Sequence, residues 1–230
     1  LSLEITRTYN SQPAFELPGW THEQDRGGSS WFVDQNTLRG EGDRVLTERV
    51  FQNPVTLSVR MKTLQTQPGE ADVPDLADPN KPATPSSWYA AWVNFAYQDY
   101  RNFYYFLIHR NGTLELSKLS NGALVTLKTA TSTLSPFDWH TLRVEVNGNS
   151  IQCYVDGTLR LQQTEAAAIP SGKVGLNAYW SYALFDDLSV TDSAGIMSDD
   201  FNRKNRQEDA IFGWGWTWNY GLKLEGTQLV

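Results

Sequence analysis

The sequence has a single cysteine, Cys153, so no disulfide forms within the chain. Cys153 sits in an alternating strand pattern, where a free thiol behaves as a small buried hydrophobe. Histidine is scarce, with three residues, and no His/Cys cluster suggests zinc. No apolar run approaches the roughly 18 residues that a membrane span needs, so no membrane partner is expected. Lys and Arg total 19 against 26 Asp and Glu, a formal charge of −7. The cations are scattered, and without a basic stripe no nucleic-acid partner is expected. An anionic ligand would have to be held by a few placed cations rather than by a general field. The opening "LSLEITRTYN" lacks a basic segment followed by an apolar core, so it does not read as a signal peptide.

Long amphipathic helices are also missing, and short strands take their place. "VTLSVRMKTL" alternates, with Val55, Leu57, Val59 and Met61 on one face. In "RNFYYFLIHRNGTLELSKLSNGALVTLK" the pairs Asn111-Gly112 and Asn121-Gly122 punctuate three strands. "WHTLRVEVNGNSIQCYVDG" reads as a hairpin turning on Asn147-Gly148. Leu142, Val144 and Val146 make its apolar face with Ile151, Cys153 and Val155. Many short strands with frequent turns predict an all-β, two-sheet antiparallel jelly-roll β-sandwich.

That domain is expected over residues 1–192. The pattern stops across 65–87, a loop with five prolines and four acidic residues. It is too polar for a strand and longer than an ordinary connection. Two readings are open, a plain surface excursion and the rim of a binding groove. Residues 193–230 are expected to be a linker and the start of a second module, with "TDSAGIMS" (residues 191–198) read as the linker. They continue into a stretch that echoes the N-terminal region, as a truncated second module would. An unpaired module edge predicts an ordered tail that docks on the sandwich, on a tandem module or on a second copy.

Strand parity selects the candidate site. In "WYAAWVNFAY", Val93 and Phe95 suit the core, which turns Trp92 and Asn94 outward. In "FYYFLIHR", Phe106 and Ile108 suit the core, which turns Tyr105 and His109 outward. Arg60 lies beside Val59 and is expected to join them, as are Tyr179 and Tyr182 from the last strands. Flat aromatic faces stack on sugar rings, while Asn, Arg and His supply hydrogen bonds, so a polysaccharide or oligosaccharide is the expected partner. Paired carboxylates able to flank one glycosidic bond are absent: Asp186-Asp187 and Asp199-Asp200 are adjacent and point to opposite faces. His22 and His140 read as structural or surface residues, and "NGT" at Asn111 as a hairpin turn.

"FAYQDYRNFYYFLIHRNGTLELSKLSNG", "WHTLRVEVNGNSIQCYVDG" and "GKVGLNAYWSYALFDDLSV" together resemble the concanavalin A-like jelly rolls, in particular laminin-G-like and glucanase-like modules. The resemblance covers roughly Tyr9 to Asp192 and implies an extracellular, secreted carbohydrate-binding module. It also implies a structural calcium ion, with Asp186 first and Asp187 second as ligands, and with Glu16 and the carbonyls around Gly40 and Gly42 as further candidates. A weaker resemblance to family 20 polysaccharide (glucuronan) lyases implies an alternative. There a uronic-acid polymer is cleaved by β-elimination, with Tyr105 or Tyr182 and His109 moving protons and Asn94 and Arg60 on the carboxylate. A protein-adhesion module of the laminin-G kind is the third reading.

Overall fold

The computed structural model describes residues 17–23, 30–42, 44–64, 86–179, 181–202, 224–225 and 228–229. These form strands and turns, and no helix among them is long and apolar enough to cross a membrane. In chain order the strands are β1 (Trp20–Glu23), β2 (Ser30–Asp34), β3 (Thr37–Glu41), β4 (Arg44–Thr47) and β5 (Val55–Leu64). There follow β6 (Ala91–Asp99), β7 (Asn102–Ile108), β8 (Leu114–Ser120), β9 (Ala123–Ala130), β10 (His140–Asn147) and β11 (Ser150–Val155). The last are β12 (Thr158–Thr164), β13 (Lys173–Ala178), β14 (Tyr182–Asp192), β15 (Gly195–Asp199), and the short ribbon β16 (Leu224–Glu225) and β17 (Gln228–Leu229).

Two antiparallel sheets make the sandwich. One has seven strands in the order β1-β4-β13-β6-β7-β8-β9. The other has eight, ordered β12-β11-β10-β5-β14-β3-β2, with β15 pairing to β14. This is the expected all-β jelly roll. Its core is the meeting of two alternating faces: Val93, Phe95 and Phe106 from one sheet, and Leu57, Val59, Leu142, Val144 and Phe185 from the other. Burying such side chains contributes about 1.5–3 kcal/mol each.

The hairpin β10–β11 pairs Val144 with Cys153 and Val146 with Ile151, so Cys153 is a buried free thiol in the core. Its turn is one residue later than the sequence suggests. Asn147 closes the ladder opposite Ser150, and Gly148 bends with φ of 60°. By contrast, Asn121-Gly122 forms the two-residue turn itself, with φ of 53° and 82°. Positive φ at both positions matches the right-handed twist of the flanking strands.

The domain also extends past residue 192. The stretch read as a linker is the β14–β15 hairpin, with Val190 opposite Met197. Phe201 is fully buried against Trp20, whose indole N–H donates to Asp199 at 2.9 Å. The linker expectation is thus corrected: these residues bury apolar surface and complete a sheet. The Pro-rich segment through residue 85 and the tail residues 203–223 lie outside the described residues.

One irregularity aims the site. In β6 the ladder to β7 slips between Phe95 and Asp99, and Ala96 takes φ of 48°. The extra residue places Phe95 and Ala96 in the core and Tyr97 on the outer face. Gly172 packs flat on this bulge: a Cβ there would lie 2.3 Å from the Ala96 carbonyl carbon. Gly172→Ala should therefore cost about 1–3 kcal/mol, because backbone cannot yield as a side-chain tip can. Urea unfolding of the variant measures this; an unchanged midpoint would show the bulge to be pliable.

Candidate functional site

The outer face of the seven-stranded sheet carries an unusual set of side chains, placed by register. One row runs Arg44, Asn177, Trp92, Leu107, Glu115 across β4, β13, β6, β7 and β8. The next runs Leu46, Gly175, Asn94, Tyr105, Ser117. Strand alternation explains the choice: the residues between these face the core. Leu46, Trp92, Tyr97, Phe103, Tyr105 and Leu107 form a second apolar cluster, separate from the one between the sheets.

Trp92, Asn94, Tyr105 and His109 therefore share a face, and Tyr179 joins them. The Tyr179 ring stacks on Trp92 with centroids 5.3 Å apart. The face is covered rather than open: Trp92 is 7% exposed and Asn94 0%. Arg60 and Tyr182 do not belong to it, which corrects the expectation from parity. Both are on strands of the eight-stranded sheet, β5 and β14. Arg60 donates to Asp186 at 3.2 Å and lies 4.3 Å from the centroid of the Trp139 ring. Tyr182 lies beneath the guanidinium of Arg39 at 5.4 Å. Alternation tells core side from outer side but not which sheet a strand enters.

Two polar groupings sit on the face. In the first, Glu115 is 5% exposed and accepts three hydrogen bonds. His109 Nε2 lies 2.9 Å from Glu115 Oε2, the Tyr105 hydroxyl 3.3 Å from Oε1, and the Ser117 hydroxyl donates to the same oxygen. Nδ1 of His109 meets the Ser87 carbonyl at 3.2 Å. Both ring nitrogens thus face oxygen acceptors. Burial alone would raise the Glu115 carboxyl. The hydrogen bonds from His109, Ser117 and Tyr105, with the charge of His109, outweigh it and hold the group below its ordinary value. Burial also raises the Tyr105 hydroxyl, opposed by the Ser117 bond and reinforced by Glu115, so Tyr105 stays protonated. In the second grouping, Arg44 donates to the Tyr97 hydroxyl at 3.3 Å and pairs with Glu23 at 3.5 Å, while Tyr97 donates to Glu23.

Between the groupings lie polar atoms with nothing to bond. Trp92 Nε1, both side-chain polar atoms of Asn94, Asn177 Oδ1 and Ser181 Oγ are buried and have no hydrogen-bond partner. Buried polar groups are nearly always paired, and leaving one unpaired costs about 1–3 kcal/mol. Those of Trp92, Asn94 and Asn177 lie on one face, in the two rows set by register.

The residues expected to hold calcium are not assembled in this way. Asp186 is engaged by Arg60 and by the backbone N–H of Asp187, and Asp187 is exposed. Gly40 lies where a Cβ would fall 2.4 Å from the Trp31 ring, so its role is to admit that indole. Glu16 lies outside the described residues. Among the described residues no group of three or more His, Cys, Asp or Glu could hold a metal ion.

Residues 10–191 match the family of the 3-keto-alpha-glucoside-1,2-lyase-like domain. The chain belongs to that family. No curated protein matches the sequence. Among solved structures, this 3-keto-alpha-glucoside-1,2-lyase-like domain is similar to the carbohydrate binding module CBM66 from Bacillus subtilis. The TM-score is 0.57 at 17% identity, covering 75% of this chain and 94% of that one. It is also similar to a protein of unknown function with a galectin-like fold from Bacillus subtilis. There the TM-score is 0.55 at 14% identity, covering 74% of this chain and 88% of that one. At such identities the likeness is one of fold, the concanavalin A-like jelly roll.

Sequence reasoning missed Glu115, Ser117, Asn177 and Trp88. A signal for the first two was present. Glu115 and Ser117 are the polar phase of the alternation in "LELSKL", and the Asn111-Gly112 turn pairs β8 with β7, which ends just before His109.

Proposed function

We propose that the outer face of the seven-stranded sheet recognises a neutral glycoside. The observation that carries this is the set of buried, unpartnered polar atoms on Trp92, Asn94, Asn177 and Ser181, set among aromatic rings. Amides offer both a donor and an acceptor, which suits neighbouring sugar hydroxyls. On this face Arg44 pairs with Glu23 and His109 is hydrogen-bonded to Glu115, while Lys173 stands at the far end opposite Tyr97. Beside the unpartnered amides a uronate would compete with Glu23 for Arg44, and the absence of Arg60 from the face weakens the uronic-acid reading further. The family membership and the fold likeness to a carbohydrate binding module both support a sugar. An extracellular location and a polymeric ligand belong to the same proposal, and cell fractionation with affinity electrophoresis tests them. Isothermal titration with methyl α-glucopyranoside, its 3-keto oxidation product and glucuronate tests the main claim. Binding of a neutral sugar in preference to the uronate is expected, and the reverse order would refute it.

Catalysis is the second reading, favoured by the family and by the Tyr105–Glu115–His109 arrangement. A ketone at C3 acidifies the C2 proton of a glycoside. Removal of that proton forms the C1–C2 double bond, the C1–O bond breaks, and the departing oxygen takes a proton. Tyr105, kept protonated, is suited to that last transfer. Base capacity is less well supplied, because both nitrogens of His109 and both oxygens of Glu115 are engaged. That is why recognition stands first. Incubation with the 3-keto glycoside, with the released alcohol quantified, separates the two: release that Tyr105→Phe abolishes supports the enzyme, and no release supports a binding module.

A further inference from the structure

The site as described has polar atoms for sugar hydroxyls but no obvious surface for the apolar side of a sugar ring. Trp92 cannot supply it. Tyr179 stacks on it at 5.3 Å with planes 30° apart, and Tyr105 leans on it at 4.7 Å with planes 43° apart. Tyr105 itself is 1% exposed.

Trp88 differs in both respects. It is half-buried, and its three ring contacts within the site are edge-on. Trp92 lies at 6.2 Å and 79°, Tyr105 at 6.3 Å and 67°, and His109 at 4.6 Å and 84°. None of these lies parallel to its face. The backbone that carries it is a tight turn closed on itself, with Tyr89 N–H donating to Ser86 O at 3.0 Å and Ala90 N–H to Trp88 O at 2.8 Å. The turn is tied to the end of β7: Ser87 O meets His109 Nδ1 and accepts from Arg110 N–H at 3.0 Å. Tyr89 O accepts from the Arg110 guanidinium at 3.2 Å. The turn is thus fixed to the end of β7, and its Trp88 ring lies with its centroid 6.2 Å from that of Trp92, whose Nε1 is one of the unpartnered donors.

We propose that Trp88 is the stacking platform of the site, while Trp92 holds Tyr179 and Tyr105 in place and offers its N–H. The ligand class this selects is a pyranoside with an unsubstituted C–H face toward Trp88 and hydroxyls at its edge toward Asn94 and Asn177. A C–H face against an indole exploits the electron-rich ring. A fixed aromatic also costs little conformational entropy on binding. The inference rests on the glycoside reading above, and its test keeps the two apart.

Methyl α-glucopyranoside and its 3-keto form are titrated into the full chain and into Trp88→Ala, Trp88→Phe and Asn94→Leu, with affinity and indole emission both followed. Trp88→Ala should weaken binding about tenfold or more. Trp88→Phe should recover most of the affinity yet lose most of the ligand-induced emission change, which a merely structural tryptophan would not do. If Trp88→Ala binds as the parent does while Asn94→Leu fails to bind, the platform is elsewhere and the glycoside site stands. If both variants bind as the parent does, or the parent binds neither sugar, the site itself is misplaced and the platform falls with it.

Discussion

Glu115→Leu should destabilise the domain by about 3–5 kcal/mol, since it strands three buried donors at about 1–3 kcal/mol each. The carboxylate is the shared acceptor of His109, Tyr105 and Ser117, each of which is itself buried. Leucine fills a similar volume but leaves three donors with nothing to bond on this face. Urea unfolding at neutral pH gives the number. Acid adds a second test. Because the folded state holds Glu115 below its ordinary value of 4.5, its charge contributes stability above that pH. The contribution is lost as pH falls through the depressed value. Glu115→Gln cannot titrate there, so the gap between it and the parent should narrow below pH 4.5. A gap that stays constant into acid would mean that the charge of Glu115 is not what the three donors stabilise.

Asn94→Leu should do the opposite to stability. Asn94 is 0% exposed, and neither of its side-chain polar atoms has a partner. Leucine is close in size and removes that penalty, so the folded state should gain about 1–2 kcal/mol. Binding should collapse at the same time. Two hydrogen bonds to a ligand at about 1.5 kcal/mol each correspond to a roughly hundredfold loss of affinity. A residue that costs stability and repays it in binding is the signature of a functional position. If the variant is less stable than the parent, Asn94 has a structural role that its surroundings do not reveal.

The fold was legible because its evidence is local. The alternation in β10 and β11 and the positive-φ turn at Asn121-Gly122 can each be read from about ten residues. Half of the site was legible for the same reason. Trp92 and Asn94 follow from the parity of β6, and Tyr105 and His109 from that of β7, a near neighbour in sequence. Arg60 and Tyr182 were misplaced because the order of β5 and β14 within a sheet depends on partners far away in the chain. Their strands pair with each other, with Asp186 opposite Arg60. Burial was illegible too. An outward-facing residue on a strand reads as wet, yet the outer face here carries its own apolar cluster. The β14–β15 hairpin reads as a linker in sequence because Ile196 and Met197 are set among small and acidic residues, a composition that mimics a loop.

The most direct test of the account observes the two amides themselves. The side-chain amide signals of Asn94 and Asn177 can be assigned in a 15N-labelled sample by their loss in Asn94→Leu and Asn177→Leu. Titration with methyl α-glucopyranoside and its 3-keto form then follows both. The account predicts that both signals move together and saturate with the affinity measured by calorimetry. A glycoside that binds while both signals stay still would contradict it, and would place recognition away from the outer face of the seven-stranded sheet.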